Sequence, residues 1–93
     1  MPDMYEISFS NQFKKDYKKC LKRGYKMDLL ENVLMLLRQS GKLPKEYKPH
    51  ILSGNYNGFW ECHIRPDWLL TWLQDDNAKE IKLDRTGTHA DLF

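Results

Sequence analysis

Between Phe59 and Arg85 three stretches read as strands: residues 59–65 and 80–85 alternate apolar and polar side chains, and residues 68–74 form a denser apolar run. A period of two marks a strand whose faces meet different surroundings. Only a tight turn at Arg65-Pro66-Asp67 and a five-residue gap, 75–79, that opens with Asp75-Asp76-Asn77 join the three. Connections this short cannot carry a crossover, so the strands must run antiparallel as a meander. One face of that meander needs cover, and the cover has to come from the residues before it.

Those residues have the right periods. Tyr5, Ile7 and Phe9 alternate with Glu6 and Ser8 as an opening strand. Ser10 or Asn11 can cap a helix running to about Arg23 and closed by Gly24. On it Phe13, Tyr17, Cys20 and Leu21 span an arc of about 100°, with Lys14, Lys15, Lys18, Lys19 and Lys22 opposite. Asp28 and Glu31 have capping-box spacing ahead of a second stripe, Leu30, Val33, Leu34 and Leu37, which stops before Gly41. The short connection at residues 23–26 predicts an antiparallel two-helix hairpin, and two prolines make residues 43–49 a loop. The order is N-terminal strand, helical hairpin, three-stranded antiparallel meander. It predicts a single α+β domain over residues 1–93 with both helices packed on one sheet face.

Composition removes several classes. A 93-residue chain that is 41% hydrophobic and 13% aromatic is neither disordered nor dependent on a staple. No basic start leads into an apolar run, and the richest run, residues 68–73, is far too short to cross a bilayer. Two cysteines do not make a disulfide framework. The expectation is a reduced, cytoplasmic protein with no membrane association. Charge is lopsided: residues 1–48 hold eleven Lys/Arg against six Asp/Glu, and residues 49–93 hold four against seven. The basic half suits an anionic partner such as nucleic acid, although a solvated helix face has the same pattern.

Strand parity places Trp60, Cys62 and Ile64 on the covered face, leaving Phe59, Glu61 and His63 on the open one. Ile81, Leu83 and Arg85 alternate with Lys82 and Asp84, which makes Arg85 the end of an inward row. Cys62 and His63 point to opposite faces and cannot easily chelate one ion, and no C-x-x-C or H-x-x-x-H spacing occurs. No metal or other cofactor is expected, and Cys62 is a core residue rather than a nucleophile. Cleavage of RNA without a metal needs a base for the 2′-OH, an acid for the leaving 5′-oxygen and a cation for the phosphorane-like charge. Histidine suits both proton roles and arginine the third. The chain offers His50, His63, His89, Asp67 and Arg85, with aromatics that could stack on bases.

Three motifs in order, K-P-H-I-L-S-G at 48–54, E-C-H-I-R-P-D-W at 61–68 and R-T-G-T-H-A-D-L-F at 85–93, resemble the YafQ-type branch of the RelE/ParE toxin superfamily. The resemblance covers nearly the whole chain. It implies a compact helical hairpin on an antiparallel sheet and a ribosome-dependent mRNA endonuclease, the toxin of a type II toxin–antitoxin pair. Its implied partners are a cognate antitoxin, ribosomal RNA and the ribosome with mRNA in its A site. On the matching positions it implies His50 as general base and His89 as general acid, with His63 and Asp67 orienting the ribose and phosphate. Asp67 or His63 is the rival base. Arg85 would stabilise phosphate charge, and Phe93 would pack on a splayed base. From their positions Trp60, Trp68 and Trp72 read as core, although Trp68, next to Asp67, could border the site. The lysine face of the first helix, with Lys15, Lys18 and Lys22, belongs to none of the three motifs; it would suit ribosomal RNA phosphates or serve solubility alone. Two other readings use the same residues differently: a superfamily relative that inhibits DNA gyrase by binding, and a small RNA-binding module without chemistry. Several groups titrating near neutrality favour the nuclease.

Overall fold

A computed structural model describes residues 4–93 as β1 (Glu6–Phe9), α1 (Asn11–Lys22), α2 (Met27–Ser40), β2 (His50–Ile51), β3 (Trp60–Arg65), β4 (Trp68–Asp75), β5 (Glu80–Gly87) and α3 (His89–Leu92). The expected meander is β3-β4-β5. Each of its edges gains a strand, giving a five-stranded mixed sheet in the order β1-β5-β4-β3-β2. The helical hairpin carries the chain back far enough for β1 to pair parallel with β5, with Ile7 opposite Ile81 and Phe9 opposite Leu83. The two-residue strand β2, just after the expected loop at 43–49 and given no element from the sequence, pairs antiparallel with β3.

Both helices cover the same sheet face. Phe13 and Cys20 of α1 and Leu30, Val33 and Leu37 of α2 meet Cys62, Trp68, Leu70, Trp72, Ile81 and Leu83, and none of these is more than 2% exposed. Burial pushes the Cys62 thiol up to about 12 and raises that of Cys20, so both stay protonated and unreactive. Ser10 caps α1 as expected, its Oγ accepting from the Phe13 N–H at 2.9 Å. Gly41 ends α2 in the left-handed region at φ 67°, where a Cβ would lie 2.6 Å from Cζ of the Tyr5 ring.

Two local expectations are corrected. Leu21 is 52% exposed, and the charged Asp16, at 5%, takes the inward position beside Phe13 and Cys20. An arc drawn through apolar residues alone cannot see that, because Asp16 is buried on account of its hydrogen-bond partners. Asp28 does not cap α2 either: the helix starts at Met27 behind Lys26, with no side-chain cap. Met27 and Leu29 pack against the core and draw the start forward, leaving Asp28 in the first turn, where its charge complements the helix dipole.

Candidate active site

Register assembles the site on the sheet face away from α1 and α2. His50 lies opposite Glu61, Glu61 opposite Thr71, and Thr71 opposite Arg85, so one row crosses four strands. The adjacent row runs His63, Leu69, Gly87, and His89 follows two residues after Gly87. Arg85 reaches this face because the β4–β5 register shifts between Thr71 and Trp72: Leu83 pairs with Trp72, Arg85 with Thr71, and Asp84 is the extra residue. Strict alternation from Ile81 and Leu83 had put Arg85 on the core side. The bulge reverses that.

The three histidines stand in a line. Ring centroids lie 6.4 Å apart for His50 and His63, and 5.8 Å apart for His63 and His89. Beneath them Glu61, Leu69 and Thr71 form a buried floor, 6%, 0% and 4% exposed. His50 donates from Nδ1 to the Lys48 carbonyl at 2.8 Å, which fixes its tautomer and directs Nε2 to within 3.2 Å of Glu61 Oε1. His63 Nε2 lies 3.9 Å from the same oxygen. Glu61 therefore touches two histidines. Sequence reading placed it on the open face and gave it no role; its opposition to His50 across β2–β3 would have been the signal, and β2 is too short to see.

Asp67 holds the far end of the line. Its Oδ1 accepts from the His89 backbone N–H at 2.9 Å and lies 2.6 Å from His89 Nδ1. Those contacts, the backbone one first, hold its carboxyl below its ordinary value. With Nδ1 committed to Asp67, Nε2 is the His89 atom left to face a substrate. The helix bearing His89 is pinned by a second carboxylate. Asp91 completes a capping box with Thr88 and pairs with Arg23 at 2.6 Å and Lys19 at 3.2 Å. Chiefly through Arg23, its carboxyl is held far below the ordinary range.

A depressed carboxylate stabilises the fold fully above its unfolded value, about 3.9, and loses that contribution as pH falls through the folded value. Thermal stability should therefore be flat from neutrality to about pH 5 and fall below it. Asp91→Asn should be less stable at neutrality, and its curve should converge on the wild-type curve in acid. Melting temperatures across pH check this; parallel curves would remove Asp91 from the acid response.

The remaining expected site residues divide. Arg85 is gripped by the Asp16 carboxylate, with Nε to Oδ2 at 2.8 Å, rather than by Asp84 or the Asp91 side chain. It lines a cleft of about 130 Å³ with Thr71, Tyr56, Leu92 and Phe93. Phe93 is 54% exposed and meets Tyr56 edge-on at 5.1 Å. Trp68 is corrected: at 2% exposure, with Nε1 donating to Thr86 Oγ1 at 2.9 Å, it is a core residue and offers no stacking face. Lys15, Lys18 and Lys22 are exposed on α1, whereas Lys19 is drawn into the Asp91 cluster. Among the described residues no three His, Cys, Asp or Glu side chains are arranged to hold a metal ion. A wider groove, about 670 Å³, lies elsewhere, between β1, α1 and α2, where Phe9, Tyr17, Leu34 and Met35 are rimmed by Lys14, Lys18 and Arg38.

The family model described as the bacterial toxin of a type II toxin–antitoxin system, YafQ, matches residues 5–93. The mRNA interferase toxin YafQ of Escherichia coli K12 is 38% identical over 89 residues, 95% of each chain. Two solved structures are similar throughout. The E. coli DinJ-YafQ toxin–antitoxin complex has a chain 38% identical at TM-score 0.87, covering 97% of this chain and 98% of that one. A copper-bound mutant toxin from Helicobacter pylori is 36% identical at TM-score 0.87, covering 97% and 100%. What fold and comparisons define first is a class, the toxins of bacterial type II toxin–antitoxin systems. Within that class the chain belongs to the YafQ family.

Proposed function

We propose that the protein is an endoribonuclease that cleaves translated mRNA on the ribosome, without a metal, by attack of the 2′-OH on the adjacent phosphate. The observation that carries this is the line of three histidines, with Glu61 beneath His50 and His63, Asp67 at the His89 end, and Arg85 across the same face. In the step, the 2′-oxygen–phosphorus bond forms and the phosphorus–5′-oxygen bond breaks. His50 Nε2 takes the 2′-OH proton while the Lys48 carbonyl holds Nδ1–H, and Glu61, beside the same Nε2, favours the imidazolium that results. His89 gives a proton to the 5′-oxygen, its ring held by Asp67. His63, between them, contacts the ribose and phosphate. Arg85 absorbs charge on the phosphoryl oxygens, and Phe93 with Tyr56 packs against a displaced base. These groups suffice for the proton inventory, so cleavage should survive a chelator once ribosomes keep the magnesium that holds them together.

The antitoxin of this system would carry an amphipathic, acidic segment suited to the basic-rimmed groove on α1 and α2. Lys15, Lys18 and Lys22 would meet ribosomal RNA. Reversing all three to glutamate should weaken ribosome binding and flatten its salt dependence by roughly 0.7–0.9 per lost phosphate contact. Unchanged affinity and slope would make the lysine face a solvated surface only.

Induction in a bacterial host with mapping of mRNA 5′ ends tests the reading. New ends within coding regions are expected. Intact mRNA with growth arrest would instead support the gyrase-binding alternative.

A further inference from the structure

We infer that Asp16 is a positioning residue for Arg85, which makes helix α1 part of the active site and not only its support; this rests on the nuclease reading above. Asp16 lies outside every motif that points to the site. It is 5% exposed on a helix whose other polar side chains face water. A carboxylate is withdrawn from water at a cost unless its lone pairs are matched, and here both oxygens are. Oδ2 accepts from Arg85 Nε at 2.8 Å and from the Thr86 backbone N–H at 3.2 Å. Oδ1 accepts from Arg85 Nη2 at 3.3 Å and from Gln12 Nε2 at 3.1 Å.

Two parallel contacts to one guanidinium set its plane as well as its place. A third, from Nη2 to the Asp91 carbonyl at 3.3 Å, braces the same nitrogen. Nη1 has no hydrogen-bond partner among the described residues, and the side chain lines the cleft shared with Thr71, Tyr56 and Phe93. Asp16 thus occupies the Nε–Nη2 edge of the fork and leaves Nη1 for a phosphate. Without that grip Arg85 would keep its charge and lose its aim. Preorganised donors matter because they need no reorganisation as charge develops.

Single-turnover cleavage of ribosome-bound mRNA by the wild type, Asp16→Asn, Arg85→Gln and the double variant tests this. Asparagine keeps the volume and an acceptor for the Thr86 N–H but turns an amide toward the guanidinium. The rate at saturating ribosomes should fall about 100-fold in Asp16→Asn, the scale of a misplaced group. The half-saturating concentration should stay near wild type, and the double variant should be no slower than Arg85→Gln alone. A purely structural role for Asp16 would lower the folded fraction without depending on Arg85. Asp16→Ser carries the same expectation should the asparagine variant not fold. Asp16→Asn at the wild-type rate, or losses that multiply in the double variant, would overturn the inference. Wild type that does not cleave would remove the nuclease reading itself, whereas an active wild type, a slow Arg85→Gln and a fast Asp16→Asn would remove only Asp16.

Discussion

His89→Gln should leave a folded protein that no longer arrests growth and should cut cleavage of ribosome-bound mRNA about 10²–10⁴-fold, the usual loss for a general acid. The side chain is 55% exposed, so no core packing depends on it. Its backbone N–H still reaches Asp67, and Thr88 and Asp91 still cap α3. What disappears is a ring that can pass a proton from Nε2 while Asp67 occupies Nδ1; glutamine has nothing to release. A melting temperature close to wild type with single-turnover cleavage down by that factor is the expected pair of results. Residual cleavage near the wild-type rate would pass the acid role to His63, and a large fall in melting temperature would make His89 structural.

Trp72→Ala is the corresponding large effect on stability, about 3–5 kcal/mol. Trp72 is 1% exposed and stacks on Trp60 at 6.1 Å and 11° between planes. Its Nε1 donates to Gln74 Oε1 at 2.9 Å, and Gln74 in turn donates to the Gly41 carbonyl at 2.9 Å. Truncation therefore opens a cavity against the helices and loosens the side chain that ties the end of α2 to the sheet. A small domain has about 5–15 kcal/mol in total, so much of this one's margin would go. Urea midpoints check it, with Leu34→Ala as the contrast: Leu34 is only partly buried and lines the α1–α2 groove, so it should cost less. Equal losses would mean that the groove is packed rather than open.

Period and turn chemistry made the meander, the helical hairpin and the covered sheet face legible, because those signals are local. Pairing was not. That β1 lies parallel against β5, and that His50 sits on a two-residue strand, depends on contacts distant in sequence which no local pattern encodes. The histidines and Asp67 could be singled out because their chemistry is rare in a strand and its turn. Arg85 was singled out for the right chemistry but put on the wrong face, since a bulge changes parity without a sequence mark as plain as glycine. Asp16 and Glu61 were passed over for a related reason. A charged residue on a helix or strand reads as solvent-facing, and only the partners on β5 and β2 show why these two are buried. Trp68 erred the other way: its neighbour Asp67 is at the site, but the next residue along the strand points to the core.

The most direct measurement replaces the scissile nucleotide of a ribosome-held mRNA with its 2′-deoxy form and follows a single turnover. If the 2′-OH is the nucleophile, cleavage at that position disappears while toxin binding is nearly unchanged, and the all-ribose control leaves a 2′,3′-cyclic phosphate on its upstream fragment. Cleavage of the 2′-deoxy substrate at the normal rate would contradict this and require an activated water in place of the substrate's own hydroxyl.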